Sequence, residues 1–212
     1  MEAKLDLPFD NEAMLAGLRS WVECESPTHD AAAVNRMMSL AARHLALMGA
    51  TVETIPGRMG FGDCVRARFP HVSNEPGILV MAHLDTVHPI GTLANGLPFK
   101  REGDRAFGPG IQDMKGGTYL AIEAIRQLAM AGIATSKPVT VLLTPDEEVG
   151  SPSTRDRIEA EAARHSVVLV PEPARPDGGV VTGRYAIARF NLRTTGRPSH
   201  AGARLGEGRS AI

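Results

Sequence analysis

The chain has 212 residues, with 23 basic and 24 acidic side chains, a formal net charge of −1 and 43% hydrophobic residues. This composition is typical of a soluble globular protein and excludes a disordered tail, a collagen-like repeat and a disulfide-stapled miniprotein. The balanced charge also argues against a broad non-specific nucleic-acid binder, which needs a clear positive excess.

Cysteine content and hydropathy bear on the location of the protein. Its two cysteines, Cys24 and Cys64, form neither a metal-type pair nor a disulfide framework, which favours a reducing compartment. No apolar run reaches the ~18 residues of a membrane helix, and the first residues contain no apolar stretch typical of a secretory signal. We therefore expect a cytoplasmic protein without a membrane partner.

Two helices and two short strands are predicted first. The helices cover residues 11–22 and 30–48, where apolar side chains recur at helical spacing, and Gly49 ends the second helix. The strands cover residues 51–55 and 63–69, and the second alternates apolar and basic side chains as a half-buried strand does.

Three further strands are predicted from continuous apolar runs, a pattern typical of strands buried on both faces. They cover residues 77–82, 138–143 and 166–170, and helices are predicted between them over residues 114–131 and 153–164. Strands that alternate with helices indicate right-handed crossovers. The expected fold class is therefore α/β, with a mixed, largely parallel sheet covered by helices on both faces.

The character of the sequence changes near its end. Residues 180–195 form a β-rich stretch, and a helix is predicted to begin near Gly208. We expect residues 1–178 to form one domain and residues 179–212 to begin a second, α+β domain. Because the sequence stops at Ile212, in the first turn of that helix, we expect an N-terminal portion of a longer protein, with both domains incomplete.

Polar residues follow each of the three apolar strands, at the edge where open α/β sheets bind ligands. His83 and Asp85 come directly after the first of these strands. Residues two apart in an extended chain point the same way, so His83 can bind a metal ion while Asp85 orients its imidazole. The alternative is a hydrogen-bonded histidine at a strand end that binds no ligand.

A glycine-rich segment, Gly-Pro-Gly-Ile-Gln-Asp-Met-Lys-Gly-Gly, covers residues 108–117. Its glycines permit close backbone approach, and Asp113 stands just before a predicted helix. Asp113 can bind a metal ion, or it can simply cap that helix. A phosphate cradle is disfavoured because the strand and G-x-x-x-x-G-K-[ST] context is missing. Lys115 is expected to be structural.

Acidic residues follow the other two apolar strands. Asp146, Glu147 and Glu148 are adjacent after the second strand, and Glu172 lies between two prolines after the third. Adjacent carboxylates at a sheet edge repel one another, which indicates a cation; the alternative is a solvated acidic loop that caps the next helix. One histidine with three carboxylates matches a divalent site for zinc, with cobalt or manganese as alternatives.

Taken together, these motifs resemble the co-catalytic zinc family of glutamate carboxypeptidases, acetylornithine deacetylases, succinyl-diaminopimelate desuccinylases and aminoacylases. The resemblance extends from about residue 10 to the end. It rests on H-x-D, G-x-G-x-x-D-M-K-G-G, D-E-E-x-G, E-P and P-S-H-A-G in this order.

The resemblance implies a zinc-dependent hydrolase of amide bonds in small N-acyl or N-peptidyl amino acids, using water activated at two zinc ions. The glutamate carboxypeptidase branch is the nearest. Acetylornithine-type or succinyl-diaminopimelate-type deacylation is one alternative, and a non-catalytic binding or dimerisation fragment is another.

The resemblance also implies a role for each site residue. The implied metal ligands are His83, Asp113, Glu148 and Glu172, with Asp113 bridging the two ions. The implied catalytic residues are Glu147 as general base, Asp85 as support for His83, and His200. In this family such a histidine belongs to a lid domain and reaches across a homodimer to polarise the substrate carbonyl. A cis peptide bond is implied at Asp113-Met114.

The family site takes one more histidine from a later part of the catalytic domain, and no histidine follows His200 in this sequence. We therefore expect this chain alone to bind at most one zinc ion tightly and to hydrolyse poorly or not at all. We also expect its sheet to lack late strands, which would leave an open apolar edge prone to aggregation.

Overall fold

The computed structural model describes residues 7–185, 188 and 190–212. The chain divides into two compact units, Met1–Ala174 and Arg175–Ile212. Within the described ranges, no helix combines the length and apolar character that a bilayer crossing requires. The assignment of residues 1–178 to a catalytic domain and of residues 179–212 to a lid domain stays a prediction.

A five-stranded mixed sheet forms the centre of the first unit. The strands of the chain are β1 (Thr51–Ile55), β2 (Cys64–Arg68), β3 (Ile78–His83), β4 (Lys100–Glu102), β5 (Arg105–Phe107), β6 (Val139–Thr144) and β7 (Val167–Leu169). The order across the sheet is β1-β2-β6-β3-β7. β3 pairs in parallel with β6 and β7, whereas β2 pairs antiparallel with both β6 and β1. The remaining two strands, β4 and β5, form a separate hairpin. The prediction of a mixed, largely parallel α/β sheet is confirmed.

Five α-helices accompany the sheet among the described residues. They are α1 (Asn11–Val22), α2 (Ala31–Leu47), α3 (Thr92–Asn95), α4 (Gly116–Met130) and α5 (Arg155–Ala162). The two N-terminal helices begin with side-chain caps, because the carboxylates of Asp10 and Asp30 accept hydrogen bonds from backbone N–H groups of the first turn. After α2 the chain turns at Gly49, where φ is +88°, a conformation that glycine adopts without a steric cost.

The hydrophobic core lies between the sheet and its helices. All six residues of β6 are buried, so the centre of the sheet is covered on both faces. From α2, a stripe of apolar side chains packs into this core: Val34, Met37, Met38, Ala41 and Leu45. Burial of each valine, methionine and leucine side chain contributes roughly 1.5–3 kcal/mol, which makes α2 a main anchor of the sheet.

The expectation that residues 166–170 are buried on both faces is wrong. The side chains of β7 and of Val170 are between 39% and 51% exposed. In the described part of the chain, β7 pairs with β3 alone and so forms an edge of the sheet. The apolar run therefore predicted a strand correctly, but it did not predict that the side chains of this strand are partly exposed.

The elements predicted for the second unit also differ from the structure. The described residues of 180–195 contain no strand, and residues 208–212 contain no helix, although one was expected to begin near Gly208. A short 3₁₀ turn, Leu205–Glu207, precedes them. The described pairing in this unit is a single bridge between Arg197 and Arg209. A β-rich sequence becomes a strand only when a second strand is present to pair with it.

Candidate metal centre

The sheet topology brings distant segments to one edge. His83 is the last residue of β3 and is in register with Thr144, the last residue of β6, so both strands end together. Glu148 lies in the turn that follows β6, and Glu172 lies just beyond β7. A turn of irregular backbone, Ile111–Lys115, carries Asp113 into the start of α4. The peptide bond between Asp113 and Met114 is cis, as the resemblance implied.

The imidazole of His83 is held in one orientation. It is 1% exposed, and its Nδ1 lies 3.0 Å from the backbone carbonyl oxygen of Asp85. Because that carbonyl can only accept, the Nδ1–H group donates and Nε2 is left to bind a cation. Nε2 points at carboxylates: Oδ1 of Asp113 is 3.2 Å away, Oε1 of Glu172 is 3.7 Å away and Oε2 of Glu147 is 3.8 Å away.

Three of the four predicted ligands offer donor atoms at metal-binding separations. One donor atom each from His83, Asp113 and Glu148 lies within 4.8 Å of the other two. Glu172, the fourth predicted ligand, lies with its Oε1 3.7 Å from Nε2 of His83. We call these four residues the candidate metal centre.

The carboxylates of the candidate metal centre repel one another. Burial, and then the charge of Asp113, raise the pKa of Glu148 to about 7, although His83 acts in the opposite direction. Burial also raises the pKa of Glu172, and Asp113 adds to that shift. A divalent cation would relieve this repulsion, and an imidazole nitrogen with carboxylate oxygens is a donor set that zinc accepts.

The side chain of Asp85 contacts both His83 and the turn that carries Glu147 and Glu148. It is fully buried, and its carboxylate accepts hydrogen bonds from the backbone N–H groups of Glu147 at 3.2 Å and Glu148 at 3.3 Å. The hydroxyl group of Thr28 donates to the same carboxylate at 2.8 Å. Oδ1 of Asp85 is also 3.4 Å from Nδ1 of His83. One buried side chain thus touches the histidine and the acidic turn.

Asp146, the first of the three adjacent acids, is not part of the candidate metal centre. It is fully buried, and its carboxylate accepts hydrogen bonds from the backbone of Ser153 and the hydroxyl group of Thr154. Its role is therefore to shape the loop that leads to α5. Of the adjacent acids, Glu147 and Glu148 alone have contacts that connect them to His83 or its supports.

Two residues of the glycine-rich segment fix its position. The buried ammonium group of Lys115 donates to the backbone carbonyl oxygens of Trp21 at 3.2 Å and Cys24 at 2.8 Å, and burial lowers its pKa to about 8. Gly117 lies so close to the chain before Glu172 that a Cβ atom there would be 1.8 Å from the carbonyl oxygen of Pro171. The segment is thus fixed against both α1 and the end of β7.

His200 belongs to the second unit. It is exposed in a turn, where its Nδ1 accepts a hydrogen bond from the backbone N–H of Gly202 at 3.2 Å. Its catalytic role stays a prediction.

Sequence reasoning missed Ser26 and Thr28, two buried hydroxyl residues between α1 and α2. Their segment has the composition of an ordinary turn before a helix, and no local pattern indicates that its hydroxyl groups reach strand residues far along the chain.

Comparison with known proteins identifies relatives over most of this chain. The model of Peptidase family M20/M25/M40 matches residues 79–202. Carboxypeptidase G2 from a Pseudomonas species (strain RS-16) is 34% identical over 196 residues, which are 92% of this chain and 47% of the relative. Acetylornithine deacetylase from Pasteurella multocida (strain Pm70) is 30% identical over 169 residues, which are 78% of this chain and 42% of the relative. The chain thus spans less than half the length of either relative.

A solved structure shares the fold. Human carnosine dipeptidase 1 superposes with a TM-score of 0.67 at 17% sequence identity, over 77% of this chain and 39% of that one. The family match covers more than half of the chain and includes all four residues of the candidate metal centre. The chain therefore belongs to peptidase family M20/M25/M40.

Proposed function

We propose that this chain supplies the metal-binding part of a hydrolase that cleaves amide bonds in small N-acyl or N-peptidyl amino acids, with C-terminal glutamate dipeptides as the first substrates to test. The observation that carries the proposal is the convergence of donor atoms from His83, Asp113 and Glu148 within 4.8 Å at the sheet edge. The similarity to carboxypeptidase G2 supports the choice of a carboxypeptidase.

We propose zinc as the resident ion, with cobalt or manganese as alternatives. His83, Asp113 and Glu172 would hold one ion, and Asp113 with Glu148 would contribute to a second. The donor set fits, because His83 presents Nε2 and the carboxylates lose repulsion when a cation binds. When bound, zinc supplies Lewis acidity that polarises a carbonyl group and lowers the pKa of water.

Glu147 is the proposed general base. Its side chain is about half exposed, which leaves it accessible to substrate, and its Oε2 lies 3.8 Å from Nε2 of His83. The backbone N–H of Glu147 is bound by Asp85, which fixes the turn that carries it. A carboxylate in this place can accept a proton from water and deliver it to the departing amine.

Substitution of this base tests the proposal. We predict that Glu147→Gln in the complete gene product lowers kcat by at least about 100-fold, the contribution typical of a general base, while zinc affinity stays within about threefold. Hydrolysis of C-terminal glutamate dipeptides is measured with and without a chelator, and zinc affinity by competition with a chromogenic chelator. The matched control is Glu159→Gln, an exposed glutamate on α5 paired with Arg155. Hydrolysis that survives metal removal, or a Glu147→Gln variant with unchanged kcat, would refute the proposal.

Deacylation is the second candidate function, and the similarity to acetylornithine deacetylase favours it. A panel of N-acetyl and N-succinyl amino acids, assayed beside the glutamate dipeptides, separates the two by their kcat/KM values. A protein that binds zinc but cleaves no member of either group would instead support a binding or dimerisation role.

We further propose a cytoplasmic homodimer in which His200 acts on the substrate carbonyl of the partner subunit's site. Support for the compartment comes from the two cysteines, which are thiols rather than a disulfide, and Cys64 is fully buried. Support for the dimer comes from the resemblance of the P-S-H-A-G segment to that of the family. Sedimentation of the complete gene product measures the oligomeric state.

A further inference from the structure

The segment between α1 and α2 lies alongside the chain that leaves β3. Pro27 and Thr86 form a parallel bridge, flanked by two backbone hydrogen bonds, Thr28 N–H to Thr86 O at 3.1 Å and Thr86 N–H to Ser26 O at 2.9 Å. The hydroxyl group of Ser26 donates to the carbonyl oxygen of Leu84 at 2.6 Å. The bridge and its two backbone hydrogen bonds extend the sheet past His83 and fix Thr28 next to Asp85.

The hydroxyl group of Thr28 has one hydrogen to donate and two acceptors within reach. Its Oγ1 lies 2.8 Å from Oδ2 of Asp85 and 3.3 Å from the carbonyl oxygen of Thr86. The shorter contact is to the carboxylate, where a hydrogen bond is stronger. Thr28 is 4% exposed and Asp85 is fully buried, so water does not replace this donor easily.

The hydrogen bond from Thr28 is the shortest contact of the Asp85 carboxylate. The two backbone N–H groups that also bind it, from Glu147 and Glu148, are at 3.2 Å and 3.3 Å. The orientation of this carboxylate therefore sets the acidic turn that carries Glu148, and it neighbours Nδ1 of His83. A change in that orientation would move donor atoms on two sides of the candidate metal centre.

We propose that Thr28 is a positioning residue for the metal centre, acting through the carboxylate of Asp85. This inference rests on the proposed function, since it assumes that the candidate metal centre binds zinc. Loss of a supporting hydrogen bond around a metal site typically lowers metal affinity by about 10–100-fold. Because Thr28 acts indirectly, through Asp85, we expect an effect at the lower end of this range, about tenfold.

Three substitutions test the role of the hydroxyl group. Thr28→Val keeps the shape but removes the donor, and we expect zinc affinity to fall about tenfold. Thr28→Ser keeps the donor, and we expect affinity within about twofold of the natural protein. The matched control is Ser26→Ala, which loses a buried hydrogen bond in the same segment without touching Asp85. It should lower the melting temperature of the metal-free protein but leave zinc affinity unchanged.

The measurements are zinc affinity by chelator competition, the visible spectrum after substitution with Co²⁺, and thermal unfolding without metal. A Thr28→Val affinity within about threefold of the natural value, or an equal loss in Thr28→Ser, overturns the positioning role while the proposed function stands. No zinc binding by the natural protein instead refutes the proposed function. If Thr28→Val does not fold, Thr28→Ala removes the same hydroxyl group without adding a methyl group beside the carboxylate, and the same tenfold loss is expected.

Discussion

At the residue scale, protons and a metal ion compete for the same atoms of the candidate metal centre. Burial by itself lowers the pKa of His83, but the hydrogen bond and charge of Asp85, together with nearby glutamates, raise it to about 9. Burial and the charge of Asp113 raise the pKa of Glu148 to about 7. In the metal-free protein both side chains hold a proton at mildly acidic pH, and each must lose it before it can bind an ion as proposed.

We predict from these pKa values that zinc affinity falls as the pH falls. Between about pH 9 and about pH 7, His83 must lose a proton on binding, so the logarithm of the association constant should change by about one per pH unit. Below about pH 7 Glu148, which the proposal assigns to the second ion, must also lose a proton, so the affinity of that ion should fall with the pH in this range. Calorimetry in buffers of different ionisation enthalpy measures the affinity and the protons released. A constant affinity across this range would contradict the assignment of these two ligands.

At the scale of the elements, a close backbone contact joins the start of α4 to the end of β7. Gly117 lies in the first turn of α4, and the chain it meets, at Pro171, leads directly to Glu172. The obstacle to any larger residue is a backbone carbonyl group, which cannot move without its strand. This one glycine thus sets the distance between two segments that carry donor atoms.

Replacement of Gly117 by alanine tests the close approach to Pro171. The sign of the change in the free energy of unfolding depends on whether that approach is present. In an open helix, alanine would stabilise the fold by about 1 kcal/mol relative to glycine. Here the new Cβ atom would lie 1.8 Å from an oxygen atom, so we predict a loss of about 1–3 kcal/mol in the free energy of unfolding. Zinc affinity should fall as well, because Glu172 is displaced. Urea denaturation of the metal-free protein measures the stability.

The control for this substitution is Gly183→Ala, where a Cβ atom would meet nothing within 4 Å. A Gly117→Ala variant as stable as the natural protein, or more stable, would show that the close approach to Pro171 is not present in solution.

Elements with a strong apolar pattern were predictable from the sequence. The runs at 77–82 and 138–143 correspond to β3 and β6 within one residue at each end, because strands buried on both faces leave an uninterrupted apolar signal. The hairpin of β4 and β5 was not predicted. Its strands have three residues each and carry mostly charged side chains, so they show no apolar period.

The sequence predicted the donor residues of the candidate metal centre but not the residues that support them. Strand-end positions and family motifs identified the histidine and the carboxylates, and the structure brings them together. The supports of the site were not predictable, because they depend on tertiary contacts. Thr28 and its acceptor Asp85 are 57 positions apart, and Lys115 and its acceptor Cys24 are 91 positions apart. No local pattern encodes such pairs.

At the scale of the whole molecule, the outer side of β7 is an apolar edge. Its valine and leucine side chains are partly exposed, and β3 is its one ladder neighbour in the described part of the chain. An unpaired strand of this kind is a template for pairing with another chain. The aligned segments make up less than half of the relatives carboxypeptidase G2 and acetylornithine deacetylase, so the further residues of those proteins have room to cover such an edge.

We predict that the 212-residue chain associates with itself through β7 and that Val168→Lys weakens this association. A charge on the strand makes edge pairing unfavourable. Light scattering as a function of protein concentration measures the effect. The matched control is Val72→Lys, at a fully exposed position in the loop between β2 and β3. Equal association of both variants would show that β7 is not the contact.

The wide separation of the donor residues along the chain affects when a metal ion can be bound. The first donor is His83 and the last is Glu172, which follows the final strand of the sheet. On the ribosome, a nascent chain that has exposed only β3 offers an ion one imidazole and few carboxylates. Under the proposed ligand assignment, coordination by all four residues of the candidate metal centre has to wait until translation has passed Glu172 and the parallel strands have aligned. The proposed metal binding would then be a late step of biogenesis, open only to chains whose parallel strands have formed.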